Sequence, residues 1–249
     1  MTLKGFTLGL IASFGIPWLL ILVFPSIGMS HLDPVRFEGK DIDGGEGVYL
    51  PPRDGRITLG SEVYGQEGCY YCHSQLVRPT YAGADLWRDE IGGLAKSADN
   101  PQDTRRETIP QDYDGETVAH VGLSRVGPDL SNFGRRIHFH LKPGAEVTPE
   151  EWILRHLYDP RTNKGYRQND TQLHAKSVCP GKKGLFETVD AVQGRAEGLD
   201  VEGLDDGKNV IPTARAKALA GYLLSLKRDT LNAPLPSTLN HAPGKPAAQ

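Results

Sequence analysis

Residues 67–79 read EGCYYCHSQLVRP, and the five letters Cys69-Tyr70-Tyr71-Cys72-His73 govern how the rest of the chain is read. Two cysteines three positions apart, followed at once by a histidine, are the attachment sequence for c-type haem. The spacing follows from the chemistry. Cysteines one helical turn apart can each form a thioether to a porphyrin vinyl group, and the adjacent imidazole reaches the iron from the same side. A redox dithiol would more naturally sit in a strand–helix unit. A structural zinc site would need a fourth ligand, typically from another Cys pair, and none exists. A Cys69–Cys72 disulfide would leave His73 without a role. The pattern predicts one covalently attached haem c, with His73 ligating iron.

Around this site lies a chain of 249 residues, long for one domain, with 38% hydrophobic residues. That composition describes a water-soluble body. The net charge of −3 argues against nucleic acid as a partner. Residues 80–120 and 184–208 are rich in Asp and Glu, and 121–183 in Arg and Lys. These blocks read as solvated loops, with a docking face for a charged redox partner as the alternative.

The first thirty residues depart from that composition. From Gly5 to Ile27, GFTLGLIASFGIPWLLILVFPSI carries no charge over 23 residues, enough to span a hydrocarbon core. A cleaved signal peptide would have a shorter apolar region and a small-x-small cleavage site, which FPSIGMSHLDP offers only poorly. Residues 5–27 are therefore expected to be an uncleaved transmembrane anchor. Covalent haem implies assembly on the outer side of an energy-transducing membrane, which puts the amino end in the cytoplasm. Lys4 facing inward agrees with that orientation.

Residues 28–58 read as a linker with one hairpin, from their paired Gly and Pro signals. A helix is expected to begin near Leu59 and run through LGSEVYGQEGCYYC, with Val63, Tyr64 and Glu67 about a turn apart. Residues 80–120 lack apolar periodicity and read as an irregular insert. TPEEWILRHLYDP (148–160) is a helix capped by Thr148, with Pro149 at its first position and Glu151 completing a capping box. Trp152, Leu154, Leu157 and Tyr158 supply its buried contacts, and His156 reads as structural. Residues 194–207 form a Gly- and Asp-rich loop. TARAKALAGYLLSLKRD (213–229) is the last helix, with Ala216, Leu219, Ala220, Leu223 and Leu226 at helical spacing. The tail from 229 to 249 reads as disordered. No run of alternating strands stands out, so the body is expected to be mainly α, short helices joined by long loops.

LGSEVYGQEGCYYCHSQLVRP (59–79) resembles the haem-binding stretch of the mono-haem subunit II of cbb(3)-type cytochrome c oxidases. Glu67-Gly68 before the first Cys, and Ser74, Gln75, Arg78 and Pro79 after the His, carry the likeness. RVGPDLSNFGRR (125–136), EWILRHLYDPR (151–161) and VIPTARAKALAGYLLSL (210–226) follow in the same order. The likeness is weakest over 80–120 and 187–208. It implies a class I-like cytochrome c domain over 59–228 behind the anchor. It also implies that the Pro128 carbonyl accepts a hydrogen bond from His73 Nδ1–H, which would orient the ring and raise its basicity. Arg78 is a candidate partner for a haem propionate, a surface Arg being the alternative. Gly60 and Tyr64 on the first helix are expected to pack against Tyr222 and Leu223 on the last.

The family uses a methionine sulfur as sixth haem ligand, usually just before a proline, but this chain has only Met1 and Met29. Neither is placed to serve. Laid on the family pattern, SVCPGKKGLFE (177–187) puts Cys179 where the methionine would stand, followed by Pro180. Four options compete: Cys179 as thiolate, His174 five residues earlier, another side chain such as His120, His138, His140 or Lys176, or a position vacant or holding water. Cys179 leads and His174 is the runner-up. A thiolate would hold the haem potential lower than methionine does.

The expectation is a single-pass cytochrome of the bacterial inner membrane, its haem domain on the periplasmic side. It would pass electrons to the catalytic haem–copper subunit of a cbb(3)-type oxidase, with a second cytochrome c subunit alongside, and catalyse no bond-making reaction itself. The alternatives are a free-standing membrane cytochrome, the cytochrome subunit of a nitric oxide reductase-like complex, and a haem-based sensor.

Overall fold

A computed structural model describes residues 2–32, 35–40, 46–49, 54–88, 91–98, 103–141, 144–163, 177–190, 198–199, 201 and 207–229. The protein is largely helical, with two small two-stranded sheets among the described residues.

The apolar amino-terminal run forms one continuous helical rod, Leu3–Ser30, of 28 residues, none of which is buried. It comprises helix α1 (Leu3–Trp18), a π turn over Leu19–Val23, and α2 (Phe24–Ser30). The widened turn lies between Pro17 and Pro25, the two residues that cannot donate into the helical ladder. Thr2 caps the start, its Oγ1 accepting from Gly5 N–H. At 1.5 Å per residue the rod is about 42 Å long, more than a hydrocarbon core requires. This helix is long and apolar enough to cross a membrane.

The expected linker is partly structured. The rod continues to Ser30, and β1 (Val35–Lys40) pairs antiparallel with β2 (Glu46–Tyr49), Val35 opposite Tyr49. Helix α3 then starts at Gly55, not near Leu59, and ends at Gln66 instead of running on to Cys72. Asp54 caps it, a carboxylate oxygen accepting from Ile57 N–H at 2.8 Å. At the other end the chain turns at Gly68, which has φ 71°.

Two further helices complete the middle of the chain. Helix α4 (Phe133–His140), not anticipated, buries Phe133, Arg136 and Ile137. Helix α5 (Pro149–Tyr158) has the expected Thr148 cap, which accepts from Glu151 N–H at 3.2 Å. It buries Ile153 besides Trp152 and Leu154, while Leu157 and Tyr158 are only partly buried. The His156 imidazole stacks on Trp152, the centroids 5.0 Å apart.

Strands β3 (Phe186–Asp190) and β4 (Lys208–Pro212), also unforeseen, pair antiparallel in register from Phe186↔Pro212 to Asp190↔Lys208. Val210 is fully buried and bridges Leu199. Most of the expected 194–207 loop, and the tail from 230 onward, lie outside the described residues.

Helix α6 (Ala214–Ser225) is capped by Thr213 and packs along α3 in the most extensive helix–helix contact of the body. The approach is as close as backbone allows. A Cβ on Gly60 would fall 2.1 Å from the Ala218 carbonyl oxygen and 2.6 Å from Tyr222 Cβ. Tyr64 and Tyr222 fill the seam with rings 5.6 Å apart. With Val63, Ile137, Ile153 and Leu219 they form the centre of the core.

Residues 80–120 are not a solvated insert. Among the described residues of this range, 3-10 turns form over Asp85–Trp87 and Pro110–Tyr113 and the remainder is irregular, yet Asp85, Thr104, Arg106, Glu107 and Asp112 are buried. Asp85, Arg106 and Asp112 are ion-paired, and Glu107 accepts from Thr80 N–H, so the buried charges are compensated. Arg106 forms a two-pronged contact with Asp112, Nη1 at 2.8 Å from Oδ2 and Nη2 on Oδ1 at 2.5 Å. The body also reaches past both expected boundaries: Arg56 pairs with Glu150, and Asp229 is fully buried against Thr104 and Arg135.

Candidate functional site

The site is built on the turn that follows α3. Cys69–Tyr71 form a single 3-10 turn. Cys72 N–H (3.2 Å) and His73 N–H (3.0 Å) both donate to the Cys69 carbonyl, which gathers two thiols and one imidazole onto a single loop of backbone. All three cysteines of the chain are free thiols, each half-buried.

A second segment runs beside this turn. Leu123 N–H donates to Tyr70 O, Gln75 N–H to Val121 O, and Gly127 N–H to Cys72 O, all at 2.8–2.9 Å. The Ser124 hydroxyl adds a bond to Tyr71 O. This ladder delivers Gly127 and Pro128 to the imidazole. His73 Nδ1 stands 2.9 Å from Pro128 O. A carbonyl only accepts, so the ring donates from Nδ1 and leaves Nε2 as a lone-pair donor for a metal. Burial depresses the His73 pKa, opposed by the Pro128 hydrogen bond, so the ring is held neutral. Gly127 makes the approach possible, since a Cβ there would lie 2.2 Å from His73 Cε1.

Asp129 locks the next residues. Its Oδ2 accepts from the Ser74 hydroxyl (2.6 Å) and Leu76 N–H (2.9 Å), and its Oδ1 from Ser131 N–H (2.8 Å). Gln75, fully buried, accepts on Oε1 from Tyr222 OH (3.0 Å) and Arg228 Nη2 (2.9 Å). Ser74 and Gln75 therefore tie the turn to Asp129 and to α6.

Arg78 has a protein partner. Its Nη2 lies 2.8 Å from Asp85 Oδ1 and its Nε 3.1 Å from Oδ2, and Arg125 Nη1 reaches the same Oδ1 at 2.7 Å. Burial works against ionising Asp85, but the hydrogen bonds from Arg78 and Arg125 hold its carboxyl well below the usual range. Sequence reasoning missed Asp85, Arg125 and Asp129. Each reads as an ordinary polar residue until its partner, 7 to 55 positions away, is known.

Cys179 lies on a short segment, its amide donating to Ser177 Oγ at 3.3 Å. Burial raises both Cys179 and Cys69, the latter to about 12, and the Lys182 ammonium opposes the rise at each. Negative charge on Cys72 would oppose ionisation of Cys179, and negative charge on Cys179 that of Cys69. Of the competing ligands, His174 and Lys176 lie outside the described residues. The His120 imidazole is engaged elsewhere, its Nε2 3.1 Å from Ser61 O. His138 and His140 occupy the last turn of α4.

Two thiols, a neutral imidazole with a free Nε2 and a third thiol thus share one region. Among the described residues no group of three or more His, Cys, Asp or Glu is arranged to hold a bare metal ion. Cys69, Cys72 and His73 supply two sulfur donors and one imidazole from a single turn. A scan against protein-family models and a search of curated proteins returned no match for this chain.

Proposed function

We propose that the chain is a membrane-anchored mono-haem c-type cytochrome that passes electrons to the catalytic haem–copper subunit of a cbb(3)-type oxidase. The observation that carries the reading is His73 held by Pro128 O at 2.9 Å, on the turn that also presents Cys69 and Cys72. Cys69 and Cys72 would tether the porphyrin and His73 Nε2 would ligate its iron. Haem bound there supplies a one-electron couple. The Pro128 carbonyl orients the imidazole and increases its donor strength, and Cys179 is the proposed sixth ligand. Arg78 keeps Nε and one Nη2–H on Asp85 and would have its Nη1 hydrogens and the second Nη2–H for a propionate. The oxidase assignment rests on the motifs around residues 59–79, 125–136, 151–161 and 210–226. The Leu3–Ser30 helix would cross the bacterial inner membrane once, with the haem domain on the periplasmic face.

Expression of the full chain with a c-type haem maturation system tests this reading. Haem should remain bound through a denaturing gel, and Cys69→Ala/Cys72→Ala should abolish it. A wild-type chain that never retains haem sinks the cytochrome reading. Purification in mild detergent should bring a haem–copper subunit with it. A haem-loaded chain that purifies alone removes the oxidase assignment, and carbon monoxide binding with a conformational change would favour a sensor.

A further inference from the structure

The segment carrying Cys179 is fastened at Lys182, three residues on. The Lys182 ammonium donates to Glu67 O at 2.6 Å and lies 3.6 Å from Glu67 Oε2. Its backbone N–H donates to Leu157 O at 2.7 Å, near the end of α5. Glu67 is the C-cap of α3 and stands two residues before Cys69. One residue therefore joins the third-cysteine segment, the end of α5 and the start of the Cys69–Cys72 turn. Both side chains of the pair are 24% exposed, so water competes less than at an open surface pair. Gly181 lies against Tyr158 O, where an added Cβ would come within 2.5 Å, leaving the segment little room to slide.

We propose that Lys182 is a positioning residue: it latches the Cys179 segment onto the haem-attachment turn and thereby holds Cys179 in place as the sixth haem ligand. This rests on the haem reading above. The competing role is simple capping, a cation satisfying the last carbonyls of α3. Capping would stabilise the helix but would be indifferent to what Cys179 touches. Lys182 also bonds Leu157 O through its backbone N–H, so it joins the Cys179 segment to two elements and does more than satisfy the end of α3.

The test uses the haem-loaded full chain in detergent, with imidazole as the competing ligand. Loss of one charge-assisted hydrogen bond should let Lys182→Met bind imidazole about tenfold more tightly. Its ferric spectrum should move toward that of Cys179→Ala, and Lys182→Arg should restore both. In a Cys179→Ala background, Lys182→Met should add nothing to imidazole affinity. A Lys182→Met protein with wild-type spectrum and affinity, and only a lower Tm, overturns the latch, as does a Cys179→Ala spectrum identical to wild type. If Lys182→Met does not fold, Lys182→Gln serves the same comparison.

A chain that fails to acquire haem defeats the cytochrome reading, and the latch is then read separately on the haem-free protein. Oxidised glutathione takes the electrons of two protein thiols, leaving one protein disulfide and two molecules of glutathione thiol. The yield of disulfide joining Cys179 to Cys69 or Cys72, measured by peptide mass spectrometry, should fall severalfold in Lys182→Met. An unchanged yield overturns the latch in that setting.

Discussion

At His73 the space for a single methyl group decides the geometry. The ring lies against Gly127, and a side chain there would press on Cε1 at 2.2 Å. Gly127→Ala must push the imidazole off Pro128 O or bend the 121–127 ladder, an overpacking that costs about 1–3 kcal/mol. The expected outcome is a lower Tm together with an altered haem spectrum. An alanine variant with wild-type spectrum would show that the ring does not depend on this contact. Cys69, Cys72 and His73 were legible because their chemistry is local: the spacing alone brings them onto one turn. Arg78 was not. Its fork is directed at Asp85, a buried carboxylate in a stretch whose turn residues gave no sign of burial. Cys179 is intermediate, singled out by the missing methionine, yet the link of its segment to the turn, through Lys182 and Glu67, depends on how a distant segment folds back.

At the scale of elements, α3 and α6 set the frame on which the Cys69–His73 turn is mounted. Their seam rests on Gly60, so Gly60→Ala should force the helices apart at the cost of about 2–3 kcal/mol, read as a fall in Tm or in denaturant midpoint. Covalent haem content should survive where the variant still folds, since the turn lies beyond the helix end. A Gly60→Ala Tm equal to wild type would contradict the packing. The capped helices were readable because Thr148 and Thr213 stand before amphipathic runs. The start of α3 was missed because Asp54-Gly55 has the composition of a turn, although Asp54 serves as its N-cap. Strands β3 and β4 were missed because each is only five residues long and the segment between them is long. Pairing across such a separation is a tertiary event with little local trace.

For the whole molecule, the unexpected feature is charge inside the body. Arg228 is 4% exposed and reaches Glu116, Asp112 O and Gln75, so the segment after α6 is bolted to 112–116 and to the site. Asp85 joins Arg78 to Arg125 in the same way. Removing its charge with Asp85→Asn should cost about 2 kcal/mol at neutral pH, discounted because Arg78 is 40% exposed. The sign of the pH dependence follows from a folded-state pKa held below the unfolded one. Between the two values the unfolded chain binds more protons, so this stabilisation is present above the ordinary carboxylate pKa of about 3.9. It is lost as pH falls through the lower, folded value. Thermal melts should show the gap between wild type and Asp85→Asn narrowing only below about pH 4. A gap that closes near neutrality would assign the effect to another group.

Across these scales, the amino-acid sequence by itself determined what is local or periodic. These are the charge-free span, the two capped helices and the Cys-x-x-Cys-His turn, each specified by residues within a few positions of one another. Only the tertiary structure decided the rest. It paired Asp85 with two arginines, buried Glu107 and Asp112 in the body, and joined Lys182, three residues beyond Cys179, to Glu67 across 115 positions. The physical reason is that a charge has no periodicity. Whether an Asp or Lys is solvated or buried depends on a partner that chain folding alone supplies, and burial without that partner would cost more than the fold can sustain.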